Sequence, residues 1–350
     1  MSLRVGVLTG GGDAPGLNAA ICGLARRLLD ADAELIGFAD GWRGLIENRT
    51  RPLQQSNFQH LLVYGGTLLG SSGDNPYRDP ARCVPAVLAT IAEHRLDALV
   101  TIGGEGTLGA SDRLHREHGV AVVGVPKTID NDLAATDFTF GFFSAVEVAT
   151  RAMDDLRSTA ESHSRVMVVE CMGRHAGWIT AYAGVAAGAE AVLVPERPTD
   201  VEELCARLDR LRQGGARSAI VAVAEGARLF ERGVCLSSTQ RDEFGEYKTG
   251  GAAAIVSQRI EALLRWEARP LVLGHLQRAG KPIAFDRIFA LRLGARAARL
   301  VLERRFGRMA AMRAGDIVDV PLQEAVAARK TLTQEFLDRY ESFFLPIGGP

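Results

Sequence analysis

The chain has 350 residues, 47% hydrophobic and 24% charged, with 41 basic against 42 acidic side chains and a formal net charge of -1. That length exceeds what one small core needs and predicts two α/β domains, while the charge balance excludes a global field that recruits DNA, RNA or an anionic membrane. Any anion site must be local. The cysteines Cys22, Cys83, Cys171, Cys205 and Cys235 are scattered, form no CxxC pair and exclude a disulfide framework or zinc cluster, which points to a reducing cytoplasm.

Met1 to Arg4 runs straight into Val5 to Thr9, too short for a signal peptide, so Val5 to Thr9 reads as a first strand. No apolar run approaches the roughly 20 residues that span a bilayer. Gly10-Gly11-Gly12-Asp13-Ala14-Pro15-Gly16-Leu17-Asn18 follows, and Ala19 to Leu29 has helical apolar spacing. A second unit runs from Glu34 to Phe38 into Asp40-Gly41-Trp42-Arg43-Gly44, and Tyr64 to Gly73 is another glycine-rich loop. Then come a helix around Cys83 to His94, a strand at Ala98 to Ile102, the loop Gly103-Gly104-Glu105-Gly106-Thr107 and a helix from Leu108 to Glu117. Val120 to Val125 is a β-branched run that reads as a strand buried on both faces, and it ends in Pro126-Lys127-Thr128-Ile129-Asp130-Asn131-Asp132.

After a helix near Ala145 to Arg157, strands are predicted at Arg165 to Glu170, Ala191 to Glu196 and Ala219 to Glu225. Ser237 to Gly251 reads as a surface loop and Ala252 to Trp266 as a helix; beyond Trp266 the pattern assigns no element. Alternating strands and helices imply right-handed crossovers and doubly wound, mainly parallel sheets, whose ligands gather at strand carboxyl ends.

Three glycine-rich loops each follow a predicted strand and approach a helix. Glycine lets backbone N–H groups converge on an anion, and a helix N-terminus adds partial positive charge. Gly11, Gly104, Gly106 and Thr107 are the candidate phosphate contacts. Gly104-Glu105-Gly106-Thr107-Leu108-Gly109 also satisfies GxGxxG, with Asp130 about twenty positions on, so a dinucleotide-binding oxidoreductase is the second class. Against it, Asp130 sits inside a dense polar motif rather than alone at a strand end. No GxxxxGK[ST] occurs, which excludes a Walker-type loop.

Phosphoryl transfer needs charge neutralisation, in-line positioning and an acceptor for the attacking hydroxyl's proton. Asp130 can take that proton, Asp132 can assist it or help hold Mg²⁺, and Thr128 can hydrogen-bond a phosphate or the acceptor. Glu105 is the natural magnesium carboxylate, since Mg²⁺ takes one or two carboxylates and completes its shell with phosphate oxygens and water. The two aspartates equally fit helix caps or turn formers. Ser162-His163-Ser164-Arg165, Met172-Gly173-Arg174-His175-Ala176-Gly177, Ala224-Glu225-Gly226, Arg269 and Gly274-His275-Leu276-Gln277-Arg278 place arginines and a histidine near strand ends, which suits a phosphomonoester. Glu225 ends an apolar run where ligands gather and can accept hydrogen bonds from sugar hydroxyls. Arg26, Arg27, Arg207, Arg210 and Arg212 read as solvated faces or surface ion pairs.

Taken together, GGGDAPGLN at 10–18, GGTLLGSS at 65–72, GGEGT at 103–107, PKTIDND at 126–132, SHSR at 162–165, MGRHAG at 172–177, AEG at 224–226 and GHLQRAG at 274–280 resemble the phosphofructokinase family over nearly the whole chain, in order. NAD kinases resemble it in the GGEGT-like loop alone. The resemblance implies the phosphofructokinase fold, with a larger donor-binding domain (1–140 plus 276–328) and a smaller sugar-phosphate-binding domain (141–275 plus 329–350). It implies phosphoryl transfer from MgATP to the 1-hydroxyl of fructose 6-phosphate, a step of glycolysis. Asp130 then matches the catalytic base, with Thr128, Asp132 and Lys127 in the same turn. Arg174 matches the residue that stabilises the transferring group; Met172 and Gly173 line the sugar. Glu225 matches the acceptor of sugar hydroxyls, and His275 and Arg278 bind the sugar phosphate. Arg165 and Arg269 match arginines that reach the site from a neighbouring subunit, which implies a homo-oligomer, a tetramer or a dimer. A catalytically silent sugar-phosphate sensor would carry the same binding residues.

Family members that use pyrophosphate usually have aspartate at the position of Gly106 and lysine at that of Lys127, whereas typical ATP users carry glycine at both. The chain combines Gly106 with Lys127, most like the actinobacterial-type branch that uses ATP; a pyrophosphate-dependent enzyme is the alternative. Gly73 stands where the family has an arginine that bridges donor phosphates, with Arg78 and Arg82 nearby. Arg26, Arg157 and Glu190 match positions of the family's allosteric site, in which Cys22 replaces an arginine. Glu225 and the arginines suit any ketose phosphate, sedoheptulose 7-phosphate included.

Overall fold

The computed structural model describes residues 2–53, 58, 60–237 and 249–345. The chain divides into two compact units, Met1–Ser144 with Arg278–Arg329, and Ala145–Gln277 with Lys330–Pro350.

The first unit opens with β1 (Arg4–Thr9), α1 (Leu17–Leu29), β2 (Glu34–Phe38), the short α2 (Trp42–Ile46), β3 (Thr50–Pro52), α3 (Pro80–Glu93), β4 (Ala98–Gly103), α4 (Glu105–His118) and β5 (Val122–Pro126). The chain then enters α5 (Phe142–His163), within which the division at 144/145 falls. The second unit continues with β6 (Val166–Cys171), α6 (Trp178–Ala186), β7 (Ala191–Leu193), β8 (Thr199–Asp200), α7 (Val201–Gln213), β9 (Ala219–Ala224), β10 (Leu229–Glu231), β11 (Val234–Cys235), α8 (Ala252–Leu264) and β12 (Ala268–Val272). The first unit resumes with α9 (Ala284–Leu302), β13 (Arg308–Arg313), β14 (Asp316–Pro321) and α10 (Leu322–Val326), and α11 (Gln334–Arg339) closes the second.

Seven strands form the first unit's sheet in the order β14-β13-β5-β4-β1-β2-β3. The pairs from β13 to β2 are parallel and only the outer β14 and β3 run antiparallel. Its core strands β1, β4 and β5 are almost entirely buried, as their unbroken apolar runs require. Against one face α1 and α9 touch closely: a Cβ on Gly23 would lie 2.2 Å from Leu291 O, and one on Gly294 2.1 Å from Ala20 O.

In the second unit β12-β6-β9-β7 is a wholly parallel sheet, beside a small sheet β11-β10-β8. Buried Glu170, at the end of β6, accepts hydrogen bonds from Gly251 N and Ala253 N and so caps α8. The α/β class with two doubly wound, mainly parallel sheets is the one the sequence predicts.

Local differences have physical causes. The strand predicted over Ala191 to Glu196 stops at Leu193, because Pro195 sits in a tight turn closed by a Val194–Arg197 bridge. Helix α5 runs past Arg157 to His163, and α4 starts at Glu105 rather than Leu108 because Gly104 serves as its N-cap. Of the loop read over Ser237 to Gly251, residues 238–248 lie outside the described residues. Arg207 and Arg212, read as solvated, hold the chain instead: Arg207 donates to Ser342 O and Phe344 O, and Arg212 donates to Leu264 O and lies over the Trp266 ring.

Candidate active site

In the first unit β1 lies between β2 and β4, so strand order reverses there and a crevice opens at the carboxyl ends of β1, β4 and β5. Backbone hydrogen bonds tie the predicted loops into that crevice. Gly10 N donates to Ile102 O, Gly11 N to Ser72 O and Lys127 N to Gly103 O, each at 2.9 Å. Gly11 has φ 78°, a left-handed conformation that glycine adopts without strain. A Cβ there would stand 3.4 Å from Lys127 Nζ and 3.9 Å from Thr107 Oγ1, so backbone amide, ammonium and hydroxyl converge on one spot.

A cavity of about 430 Å³ opens beside Gly11, Gly12 and Ser71 to Gly73. Another, of about 330 Å³, lies along the first turns of α4 and is lined by Asn75, Tyr77, Gly106 and Gly109. Asn75, which sequence reasoning missed, donates from Nδ2 to Gly106 O at 3.1 Å. That same Nδ2, 4.0 Å away, is the sole atom within 4 Å of a Cβ built on Gly106, so the Gly106 side is open space. The α4 N-terminus, with Glu105 in its first turn, adds partial positive charge at this wall.

The Lys127 to Asp132 turn is buried. Asp130 N donates to Thr128 Oγ1 at 3.0 Å, Thr139 Oγ1 donates to Thr128 O at 2.7 Å, and Thr139 N donates to Asn131 Oδ1 at 3.1 Å. Asn131 is held at φ 52°, strained for a non-glycine residue, and this kink separates the two aspartates. Asp130 is 6% exposed and its Oδ1 has no hydrogen-bond partner within the chain. A buried carboxylate oxygen left unpartnered is costly, and the cost is removed when a ligand donates to it. Burial first, and the Asp130 charge second, push Asp132 up to about 6.

Lys127 is 2% exposed and its Nζ donates to Gly12 O. Burial first, and Arg278 second, lower it to about 8, against the attraction of Asp130, Asp13 and Asp132. Arg278, expected at the sugar phosphate, falls in this unit and donates to Asp13 O at 2.9 Å. Glu105 is more than half exposed, with Arg329 at 3.7 Å. Among the described residues no group of three or more His, Cys, Asp or Glu side chains forms a ready-made metal cage. The oxygens of Glu105 and Asp130 still fit Mg²⁺, which takes few protein carboxylates and relies on phosphate oxygens for the rest.

In the second unit β6 and β9 pair side by side, Cys171 opposite Ala224, and present their carboxyl ends together. Gly173 N and Arg174 N donate to Glu225 Oε1 at 3.2 and 2.8 Å, while Met172 N donates to Gln277 Oε1 at 3.2 Å. Arg174 has φ 51°, a strained conformation that leaves this arginine exposed, while Glu225 holds the turn beneath it. Glu225 also lines a cavity of about 530 Å³ with His175, Glu196 and Arg228. His275 is exposed on the turn Gly274–Arg278. Arg165 and Arg269 share Glu267, the first at 2.7 Å, with Arg269 also 3.4 Å from Glu261. Arg157 pairs with Glu190 at 3.2 Å. Cys22, in the other unit, is fully buried.

The sequence model of a family described as phosphofructokinase matches residues 4–301. The chain belongs to the phosphofructokinase family. Within that family it is 48% identical to a pyrophosphate–fructose 6-phosphate 1-phosphotransferase of Amycolatopsis methanolica, across 98% of this chain and 100% of the relative. It is also 48% identical to ATP-dependent 6-phosphofructokinase 3 of Streptomyces coelicolor, across 94% of this chain and 96% of the relative. The crystal structure of Pichia pastoris phosphofructokinase in the T-state superposes with a TM-score of 0.81 at 31% identity, covering 93% of this chain and 36% of that longer one. Relatives named for either donor stand at equal identity, so the donor has to be read from the residues of the crevice.

Proposed function

We propose that the chain transfers the γ-phosphoryl group of MgATP to the 1-hydroxyl of D-fructose 6-phosphate, giving fructose 1,6-bisphosphate and ADP, as a cytoplasmic enzyme of glycolysis. The observation that carries this reading is Asp130 Oδ1, a buried and unpartnered carboxylate oxygen set among three phosphate-type loops and a buried lysine. Asp130 takes the proton from the sugar hydroxyl as that oxygen bonds to phosphorus, and Thr128 orients the hydroxyl. Backbone N–H groups at Gly11, Gly104 and Gly106, the Thr107 hydroxyl and the α4 N-terminus hold the donor phosphates. Lys127 and Arg174 offset the charge that develops on the transferring group. Glu105 holds Mg²⁺, with Asp132 in support, and the ion, when bound, neutralises the phosphate chain. Met172, Gly173, Glu225, His275 and Arg278 hold the sugar phosphate. Arg165 and Arg269 exchange Glu267 for the sugar phosphate of a neighbouring protomer, so the active form is a homo-oligomer, a tetramer or a dimer.

ATP is favoured by the open space at Gly106. An aspartate there would fill that space with negative charge against the nucleotide phosphates. Pyrophosphate is the second reading, favoured by Lys127 and by relatives named for that donor. Steady-state turnover of fructose 6-phosphate with each donor tests the choice. ATP is expected to give the higher kcat/KM; a higher value with pyrophosphate overturns the donor, and sugar binding without turnover with either would mark a sensor.

A further inference from the structure

Arg329 lies beyond residues 4–301, the stretch that the family model matches, and belongs to none of the motifs read from the sequence. It nevertheless enters the first unit's crevice. An antiparallel bridge pairs Arg329 with Leu133, the residue after Asp132, which fixes its Cα beside the catalytic turn. From there its Nη2 stands 3.7 Å from Glu105 Oε2. That separation is an ion pair but longer than a hydrogen bond. The side chain is 33% exposed, so one edge of the guanidinium is open to solvent.

Neighbouring arginines are committed elsewhere. Arg43 pairs with Asp74, Arg82 with Asp79 and Arg116 with Asp112, while Arg113 pairs with Glu117 and lies 3.7 Å over the Tyr77 ring. The crevice itself carries Asp13, Glu105, Asp130 and Asp132 on its walls, and a polyphosphate adds several more negative charges. Lys127 and Arg278 are turned inward onto Gly12 O and Asp13 O. Arg329 is held loosely at the mouth, next to the α4 N-terminus, where a phosphate chain has to pass.

We propose that Arg329 binds the donor's phosphate chain: it rests on Glu105 in the ligand-free chain and pairs with a phosphate oxygen once the donor arrives. The inference deepens the phosphoryl-transfer reading and rests on it. Because the contact is to phosphate, it serves ATP and pyrophosphate alike.

The test is equilibrium binding of ATP and of pyrophosphate, each with Mg²⁺, to the wild type, R329Q and R329K, with fructose 6-phosphate binding measured alongside. A charge-assisted contact of this kind is worth roughly 10- to 100-fold in affinity. R329Q is expected to weaken both donors by about that factor and leave fructose 6-phosphate unchanged, and R329K to recover part of the loss, since lysine keeps the charge but not the fork. Donor affinity in R329Q within about threefold of wild type overturns the inference alone. A wild type that binds neither donor overturns it together with the reading beneath it. Should R329Q fail to fold, R329K carries the same test, with donor affinity equal to wild type as the contradicting result.

Discussion

Replacing Lys127 with methionine separates what the buried ammonium does for the fold from what it does for the reaction. Its pKa falls from 10.5 to about 8, with burial as the larger cause and Arg278 as the second. Between those two values the unfolded chain still binds a proton that the folded chain has released, so this group makes stability rise with pH across that window. At about 1.4 kcal/mol per pH unit, the wild type carries a cost of about 3 kcal/mol at pH 7 and sheds it by pH 10.5. Methionine keeps the stem but leaves Gly12 O without its donor, a loss of about 1 kcal/mol. Lys127→Met is therefore expected to be about 2 kcal/mol more stable than wild type at pH 7, and the advantage should vanish and reverse as the pH approaches 10.5. Denaturant midpoints of both proteins over pH 7 to 10.5 give the difference, from which every other titrating group cancels. The chain has four lysines, Lys127, Lys248, Lys281 and Lys330, so isotope-labelled lysine side chains should also show the titration near 8 directly by NMR. Turnover should fall by about 10² or more, the scale of losing one preorganised electrostatic contact. A stability difference that is flat with pH, or a variant less stable than wild type at pH 7, would refute the reasoning.

Further outcomes follow from the same geometry. Asp130→Asn removes the general base and should lower kcat by roughly 10²- to 10⁴-fold with fructose 6-phosphate affinity little changed; near-normal turnover would exclude Asp130 as the base. Gly106→Asp meets only Asn75 Nδ2 at 4.0 Å, so the fold should tolerate it while kcat/KM for ATP drops more than that for pyrophosphate; unchanged ATP kinetics would contradict the donor argument. The pH–rate profile should show an acid limb near 6, because Asp132 is pushed up to about 6 and a proton taken up there weakens the carboxylate pair. In Asp132→Asn that limb should move to lower pH, and a limb that stays in place would assign it to another group.

Chemistry and fold were legible in the sequence to different depths. The glycine loops and the Lys127 to Asp132 turn are local: strand, turn and helix start are contiguous, so residue spacing alone sets which groups face the crevice. Strands β4, β5, β6 and β9 announce themselves as unbroken apolar runs because both faces of a parallel sheet are covered. Strand β12 escaped because Pro270 interrupts its pattern, and proline is tolerated there since β12 is an edge strand. Helix α9 was missed although it packs along α1, because no functional motif drew attention to it. Asn75 and Arg329 have no sequence signature at all; each acts through one contact across the fold, with Gly106 O and with Glu105. Arg278 sits in a sugar-phosphate-type motif by sequence and beside Gly12 and Asp13 in space.

The most direct test of phosphoryl transfer is ³¹P NMR of the wild type incubated with fructose 6-phosphate, ATP and Mg²⁺. The account predicts that the γ-phosphate signal of ATP declines as a second phosphomonoester appears on the sugar at C1, alongside ADP. Fructose 6-phosphate left intact while the enzyme binds it, or phosphate released to water with no new sugar phosphate, would contradict it.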